Sequence, residues 1–245
     1  MSDLTRPKQK PDKRQKWDKR YAARHEAQAA AGVLGDALVW SADPNALFVE
    51  QVAGLQPARA LDVACGEGRN AMWLAAQGWQ VTAIDFSAVA IEKARQIAQR
   101  SKESWAASGG SVDWVVDDVS SMVLEPQSFD LVAVLFLHTD PAERARWLDN
   151  VLAALKPGGT LIYVGHDPSN IELGIGGPQD PQLLPGAPEL EEWLAEACGD
   201  FEIEFAGVVE RRVDSDSGHV PPAAMEGSEH ETTAALDTLV RARKR

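Results

Sequence analysis

The sequence ALDVACGEGRNAMWLAAQGWQVTAID, at residues 60–85, decides the fold of this chain. It starts as an apolar strand that ends near Asp62, passes through a turn and a helix, and closes with a second strand ending at Asp85. Gly66 and Gly68 permit a sharp turn and leave room for a ligand where a Cβ atom would collide. The first N–H groups of the following helix have no backbone partner and favour a polar ligand. The pattern predicts a βαβ unit with a ligand site at its glycine turn.

Two acids indicate that the ligand is a nucleoside and that it carries a positive charge. Asp85 follows Gly68 by 17 residues, where a carboxylate accepts both hydroxyls of a ribose. Asp62 stands just before the turn, and a fixed carboxylate there repels a pyrophosphate and suits a cationic ligand. The register Gly66-x-Gly68-x-x-Ala71 is still one that a dinucleotide fold tolerates. A cationic nucleoside is therefore favoured, and an NAD(P)-dependent oxidoreductase stays open as an alternative.

The spacing Asp62-x-x-x-Gly66-x-Gly68 resembles motif I of the class I S-adenosylmethionine-dependent methyltransferases. In that family the acid interacts with the methionine amino group, directly or through water. Ala64 departs from the pattern, because many members have a glycine at this position. The fuller string CGEGRN, at residues 65–70, resembles the tellurite-resistance and thiopurine-type small-molecule branch. The resemblance implies S-adenosylmethionine as the cofactor and a small molecule as the substrate.

The resemblance and the strand ends together indicate which residues hold the cofactor. In the family, the acid after the third strand accepts a hydrogen bond from the adenine amino group, and the next backbone N–H reaches the ring. Asp118 matches this position better than Asp117. The expected cofactor-binding residues are Asp62, Cys65, Gly66, Gly68, Arg69, Asn70, Asp85, Phe86, Asp118 and Val119.

Four of these residues have a second interpretation that the sequence leaves open. Cys65 is expected to pack beside the glycine turn. Arg69 either pairs with the methionine carboxylate or projects into solvent. Asn70 either contacts the ligand or caps the following helix. Phe86 packs either on the adenine face or in the core.

His138 and His166 are the candidate catalytic residues, because they are expected to end the fourth and fifth strands above the methyl-transfer site. A histidine with a pKa near neutrality can take a proton from an attacking hydroxyl, amine or thiol. The alternative is that both histidines shape the pocket, since a sulfonium is already an activated donor and alignment supplies most of the catalysis. Asp140, His166 and Asp167 match no recognised metal-site spacing, so no metal is expected.

The order of strands and helices predicts an α/β fold with a mostly parallel sheet and helices on both faces. Helices are expected from residue 17 to about 31, up to about 54, from 88 to about 100, and over 141–155, the last stopped by Lys156-Pro157-Gly158-Gly159. The chain ends on two strands, 201–213 and 235–243, with no crossover helix between them, which indicates an antiparallel pair. This matches the seven-stranded, Rossmann-like methyltransferase sheet, of order 3-2-1-4-5-7-6 with the last strand antiparallel.

Composition limits the partners and the compartment. The 245 residues carry a formal charge of −13, but residues 1–25 alone carry +6. An acidic body disfavours nucleic acid as the main substrate, although an RNA methyltransferase could use the basic N-terminal arm. The longest apolar run, 131–137, is too short to span a bilayer. With two cysteines and no signal-like N-terminus, a cytoplasmic protein is expected, with its oligomeric state left open.

The expected organisation has three parts. Residues 1–15 form a disordered basic arm, residues 16–55 a helical cover, and residues 56–245 a class I methyltransferase domain. The favoured function is methylation of a small molecule, apolar or with a soft nucleophile. An RNA methyltransferase, an NAD(P)-dependent oxidoreductase and a non-catalytic cofactor-binding protein are the alternatives.

Overall fold

The computed structural model describes residues 13–32, 38, 43–197, 201–212 and 234–245. Its centre is a single sheet whose strands are β1 (Arg59–Val63), β2 (Gln80–Asp85), β3 (Ser111–Val116), β4 (Phe129–Leu135), β5 (Leu155–His166), β6 (Phe201–Arg212) and β7 (Ala234–Lys244). The order is β3-β2-β1-β4-β5-β7-β6. Strands β1 to β5 pair in parallel, and β7 pairs antiparallel with both β5 and β6. The predicted sheet is confirmed.

Helices cover both faces of the sheet. They are α1 (Lys13–Ala30), α2 (Ala46–Val52), α3 (Arg69–Ala76), α4 (Ala88–Ala106), α5 (Pro141–Ala154), α6 (Asn170–Leu173) and α7 (Ala187–Glu196). Side chains at the helix starts accept backbone N–H groups and so satisfy donors that the helix leaves free. Ser87 accepts from Ala90 at the start of α4, and Asn45 accepts from Phe48 at the start of α2.

The core consists of two apolar layers, one on each side of the sheet. Val132 and Val134 of β4 lie in the layer that α5 and α7 cover, while the alternate residues Leu131 and Ala133 lie in the layer covered by α2, α3 and α4. Because both faces of β4 are buried, its sequence is almost continuously apolar, as is typical of a central parallel strand. No helix in the described part of the chain is long and apolar enough to cross a membrane.

Several predicted boundaries were wrong. Strand β4 ends at Leu135 rather than at residue 138, because the backbone of Phe136 turns to a φ of +56°. Helix α4 continues to Ala106, and β5 already begins at Leu155, so residues 156–159 lie in a strand instead of forming a turn. Residues 13–15 of the expected disordered arm are helical, while residues 1–12 lie outside the described residues.

Candidate active site

The glycine turn lies at the carboxyl edge of the sheet, between β1 and α3. Ala64, Gly66 and Gly68 all have left-handed backbone conformations, with φ of +56°, +56° and +79°. Glycine adopts this region without the steric cost that an alanine bears, which explains why Ala64 is a departure from the family pattern. A Cβ on Gly68 would collide with the ring of Trp114, and one on Gly66 would lie 2.9 Å from the Tyr21 hydroxyl. A glycine is therefore needed at position 68 because Trp114 packs against it, and at position 66 because the Tyr21 hydroxyl lies close to it.

Asp85 organises this turn from the end of β2. Its Oδ2 accepts the Gly66 N–H at 2.9 Å and its Oδ1 accepts the Ser87 N–H at 2.8 Å. Burial raises the pKa of the Asp85 carboxyl, and the two backbone N–H groups oppose that shift. The predicted ribose acid is therefore fixed in orientation, with one lone pair left on each oxygen for a ligand.

Asp62 is the most unusual charged group of the turn. Its side chain is 1% exposed, and its Oδ2 has no hydrogen-bond partner. Burial raises the pKa of the Asp62 carboxyl to about 7, although the Ala71 backbone and the Arg69 guanidinium lower it. A buried polar atom without a partner is costly, and a cationic ligand would remove that cost. The position before the turn, the burial and the orphaned oxygen fit the acid expected to meet an ammonium group.

The next residues separate into ligand-facing and structural ones. Arg69 begins α3 and is half-buried; burial and then the positive charge of Arg211 lower the pKa of its guanidinium. Arg69 therefore does not simply project into solvent. Asn70 is buried and its Oδ1 accepts the Asn45 N–H at 2.9 Å, which ties α3 to the start of α2 and gives Asn70 a structural role. Cys65 is buried beside the turn, as expected, and burial raises the pKa of its thiol.

The adenine end of the expected site follows β2 and β3. Asp118 is half-buried, and its Oδ1 accepts the Ser120 N–H at 2.9 Å. The side chain of Val119 is buried in the core layer that α5 covers, so only its backbone is left for the expected adenine contact. Phe86 is half-buried, directly after Asp85. Because Asp118 and Phe86 are only partly buried, both side chains remain available to contact a ligand, as predicted from the sequence.

Helix α1 lies across the glycine turn, where a cover was expected. Its Tyr21 is buried against Ala90, and its His25 contacts Glu67 of the turn at 2.6 Å between Nε2 and Oε1. Ser87 at the start of α4 also donates to Asp18 of α1, at 2.5 Å. The contacts fix α1 to the turn through polar side chains around one buried tyrosine.

The two candidate histidines lie together at the carboxyl edge of the sheet, His166 at the end of β5 and His138 just beyond β4. Their rings stack with a centroid distance of 5.4 Å and an interplanar angle of 9°. His138 lies three residues beyond the end of β4, and its Nε2 is buried without a partner. Burial, reinforced by the neighbouring His166, lowers the pKa of His138 to about 3. His138 is therefore a neutral ring throughout the physiological range.

Three residues that the sequence did not single out complete this cluster. The ring of Phe136 lies 5.2 Å from that of His166, and the guanidinium of Arg211 lies 5.3 Å from the Phe136 ring centre. Asp237, on β7, is fully buried between His166 and Arg211. An acid between the apolar residues 234–236 and 239–240 of a predicted strand was the available signal for Asp237, since such a group is rarely buried without a partner.

A glycine-rich segment closes over His166. Asn170 donates to the Gly176 carbonyl at 3.0 Å and accepts the Leu236 N–H at 2.7 Å, so it fixes residues 174–177 against β7. Gly177 has a φ of +76°, and a Cβ there would lie 2.5 Å from Cδ2 of the His166 ring. The ring is thereby held between the His138 ring and the backbone of Gly177.

A concave region of about 360 Å³ lies at the opposite, amino edge of the sheet. It mixes the acids Asp130 and Glu204 with Arg241 and Arg243, and these charges largely pair with one another or with nearby groups. We place the candidate site at the carboxyl edge because the orphaned Asp62 oxygen lies there, and because ligands of open α/β sheets bind at that edge. Among the described residues, no group of three or more histidines, cysteines and acids is arranged to hold a metal ion.

Comparison with known proteins agrees with this geometry. Residues 60–159 match the family model described as a methyltransferase domain. A demethylmenaquinone methyltransferase of Clavibacter sepedonicus is 33% identical over 151 residues, which are 62% of this chain and 58% of that protein. A ubiquinone biosynthesis O-methyltransferase of Coxiella burnetii is 28% identical over 116 residues, 47% of either chain. The chain thus spans about half the length of the curated relatives it matches.

Solved structures resemble the chain over more of its length. An S-adenosylmethionine-dependent methyltransferase of Methanosarcina mazei has a TM-score of 0.60 and 24% identity, and the match covers 82% of this chain and 98% of the other. TehB of Haemophilus influenzae has a TM-score of 0.61 and 16% identity, with 82% and 63% covered. Identities this low show the fold, and the fold is that of the class I methyltransferases. The predicted class I methyltransferase fold is confirmed.

Proposed function

We propose that this methyltransferase domain binds S-adenosylmethionine and transfers its methyl group to a small molecule. The observation that carries the proposal is the buried Oδ2 of Asp62, which has no partner although it stands beside the glycine turn. The ammonium group of the cofactor's methionine part would supply the missing charge-assisted hydrogen bonds. The sulfonium supplies a methyl group that is already activated for attack.

Each part of the cofactor has a matching group on the chain. Asp62 would hold the ammonium, and Arg69 would pair with the carboxylate of the same methionine part. Asp85 would accept the ribose hydroxyls through the lone pairs that its two backbone partners leave free. Asp118 and the backbone of Val119 would hold the adenine. Gly66 lets α1 approach the turn closely, since a Cβ there would press on the Tyr21 hydroxyl.

Asp62 also argues against a dinucleotide. A pyrophosphate on the glycine turn would lie close to this buried carboxylate. In a protein interior, like charges at such distances repel strongly because little solvent screens them. An NAD(P)-dependent oxidoreductase therefore fits this turn poorly.

A small molecule fits the covered site better than an RNA. Helix α1 closes the cofactor turn from one side, and residues 174–177 close the histidine cluster from the other. Covered, partly apolar sites suit small ligands. The curated relatives are named for demethylmenaquinone and ubiquinone biosynthesis, which favours a quinone-like or phenolic compound. At least one basic residue before the domain, Lys13, is engaged in an ion pair with Glu143 at 2.5 Å.

The decisive experiment is calorimetric binding of S-adenosylmethionine and of its homocysteine product at pH 8. Asp62→Asn removes the charge but keeps the shape, and we expect it to weaken binding by roughly 10- to 100-fold, the value of a charge-assisted hydrogen bond. Asp130→Asn is the matched control, because this acid lies at the amino edge and pairs with Lys156. Equal affinity of the wild-type protein and Asp62→Asn would contradict the site, and no binding by the wild-type protein would contradict the function.

A further inference from the structure

The two edges of the sheet differ in how well they are protected. Strand β3 forms one edge, and it has six residues and carries an exposed acid, Asp113. Strand β6 forms the other edge and has 12 residues, with neither lysine nor proline among them. Short strands, charges and prolines are common means by which a protein keeps an edge from pairing with another strand. The edge at β6 is therefore the one that is open to a further strand.

The middle of β6 has the sequence of a strand from the inside of a sheet. Its residues 205–209 read Phe-Ala-Gly-Val-Val, an apolar run flanked by Glu204 and Glu210. Such runs are typical of central strands that are buried on both faces. In β6, however, Phe205 is 42% and Val208 is 52% exposed, and among the described residues only β7 pairs with this strand. A further strand along β6 would give these side chains the burial that their sequence pattern indicates.

Residues 205–212 form a regular edge for such pairing. Their register with β7 runs without interruption, and it shifts only before Phe205. Side chains alternate along the segment, since Ala206 packs in the layer that α5 and α7 cover and Val209 packs in the opposite layer. Val208 therefore lies on the α5 side of the sheet and Phe205 on the other side. Exposed apolar side chains thus flank the open edge on both faces of the sheet.

This segment is complementary to itself in the antiparallel direction. Opposite residues of an antiparallel pair lie on the same face of the sheet, so a two-fold axis has to pass through a residue and not between two. An axis through Gly207 places Phe205 opposite Val209 of a second copy, and it places Val208 opposite Ala206. Both pairs are apolar, and an aromatic residue opposite a β-branched one is a favourable cross-strand pair. The contact would thus have an apolar centre with charged residues on either side of it.

A second copy suits this edge better than the chain's own next segment does. Residues 213–233, which connect β6 to β7, lie outside the described residues, but their sequence contains Pro221 and Pro222 and no run of strand-forming residues. Proline lacks the N–H that a strand pair needs. A second copy has the matching strand, and a two-fold axis that joins two identical surfaces is the commonest symmetry of oligomers.

We infer that the chain forms a homodimer through antiparallel pairing of β6 with β6 of a second copy, with the two-fold axis at Gly207. The two seven-stranded sheets then become one continuous sheet. β6 runs parallel to β5, since both are antiparallel to β7, so the carboxyl edges of the two sheets face in opposite directions. Each candidate site is therefore complete within one copy, and pairing requires no cofactor.

The charge of the chain and the size of the contact determine how tightly two copies associate. Each copy has a formal charge of −13, which opposes association at low ionic strength. Salt screens this repulsion but leaves apolar contacts and backbone hydrogen bonds in place. A contact along one strand is also smaller than a standard protein interface. We therefore expect a dimer that depends on protein concentration and becomes tighter with added salt.

The first test is sedimentation velocity of the full chain without ligand, at protein concentrations from about 1 to 200 µM. The measured mass should rise from 26.5 kDa, the mass of one chain, toward twice that value. Val208→Lys should weaken self-association by at least about 10-fold, because it places two like charges beside the axis. Val123→Lys is the matched control, since this valine is 92% exposed and lies between β3 and β4, and it should associate like the wild-type protein.

The second test is hydrogen exchange at low and at high protein concentration, which locates the contact. The N–H groups of residues 205–209 should exchange more slowly at high concentration in the wild-type protein. In Val208→Lys their exchange should not depend on concentration. The N–H groups of β3, at the other edge of the sheet, are the internal reference and should exchange equally at both concentrations.

Three results would overturn the inferred dimer. A chain that remains monomeric over the whole concentration range has no such contact, even if residues 205–209 exchange slowly, since its own residues then cover the edge. A dimer that Val208→Lys and Val123→Lys weaken equally has its contact elsewhere. A dimer that salt dissociates is held by ion pairs and not by the apolar centre of β6. None of these measurements involves S-adenosylmethionine, so their outcome leaves the proposed function unaffected.

Discussion

At the scale of single residues, the glycine turn contains a buried carboxylate whose ionised form is unfavourable until a cationic ligand binds. Asp62 has the oxygen that a cation would need, but the folded chain alone provides no partner for it. The raised pKa of about 7 measures that cost. Asp237 shows the opposite arrangement, since two positive or proton-donating neighbours lower its pKa and the chain satisfies it internally. Asp62 thus lacks a partner at its Oδ2, whereas Asp237 contacts both Arg211 and His166.

The raised pKa of Asp62 leads to a prediction about stability. In the unfolded chain this carboxyl ionises near its ordinary value of about 4, and in the folded chain near 7. Its contribution to the free energy of unfolding is therefore fully present below pH 4 and is lost as the pH rises through 7. The loss amounts to about 4 kcal/mol at most.

Urea unfolding without ligand, from pH 4 to pH 8, tests this. Other carboxylates change the stability of both proteins alike, so the quantity to follow is the free energy of unfolding of Asp62→Asn minus that of the wild-type protein. It should rise by a few kcal/mol across this range and become constant above about pH 7.5. A difference that stays flat would show that Asp62 ionises normally.

A second prediction concerns Asp85. Asp85→Asn keeps one oxygen acceptor but loses the charge that holds the Gly66 and Ser87 N–H groups and would bind the ribose. We expect about 10- to 100-fold weaker binding of S-adenosylhomocysteine by calorimetry, from the loss of charge-assisted hydrogen bonds. The melting temperature without ligand should change by only a few degrees. Loss of the fold with Asp85→Asn would instead assign this acid to the architecture of the turn.

At the scale of elements, the sequence predicted what local spacing controls. Asp62, Gly66 and Asp85 lie within one βαβ unit, so their relation follows from the period of the strands and the length of the helix. The partner of His166 could not be found in this way, because Asp237 is 71 residues further along and meets it only through the antiparallel pairing of β5 with β7. The end of β4 was missed because nothing in the residues around Phe136 predicts a left-handed backbone.

The glycine-rich segment over His166 gives a prediction with a closely matched control. Gly177 and Gly109 share a φ of +76°, but a Cβ on Gly177 would lie 2.5 Å from the His166 ring, whereas one on Gly109 would meet nothing within 4 Å. Both alanine variants bear the cost of a left-handed alanine, about 1–2 kcal/mol. Gly177→Ala should in addition displace His166.

Unfolding curves and the histidine NMR signals of the two variants distinguish these effects. We expect Gly177→Ala to be the less stable variant and to shift or broaden the His166 ring signals, while Gly109→Ala leaves them in place. Affinity for S-adenosylhomocysteine should be unchanged in both, because neither glycine belongs to the cofactor turn. If the two variants behave alike, residues 174–177 do not hold the imidazole.

At the scale of the whole molecule, the fold brings two sites of different electrostatic character together. The cofactor turn has two buried acids with raised pKa values, and the histidine cluster has a balanced pair, Asp237 and Arg211. Arg69 and Arg211 lie near enough for Arg211 to help lower the pKa of Arg69, so the two sites adjoin. A cation bound at the turn and a substrate at the cluster would then lie along the same carboxyl edge of β1, β4 and β5.

The last prediction concerns the thermal stability of the whole chain. A ligand that binds the folded state at 100 times its dissociation constant adds about 2.7 kcal/mol, which for a domain of this size raises the melting temperature by roughly 5–11 °C. We expect S-adenosylmethionine to produce this shift at pH 8 and NAD⁺ to produce none, since its pyrophosphate would lie beside Asp62. The shift with S-adenosylmethionine should shrink at pH 6, because Asp62 is then mostly protonated and must lose its proton before an ammonium can bind. Asp62→Asn removes the carboxyl group that titrates, so the smaller increase in melting temperature of this variant should be nearly independent of pH. A larger shift with NAD⁺ than with S-adenosylmethionine would reverse the choice of cofactor.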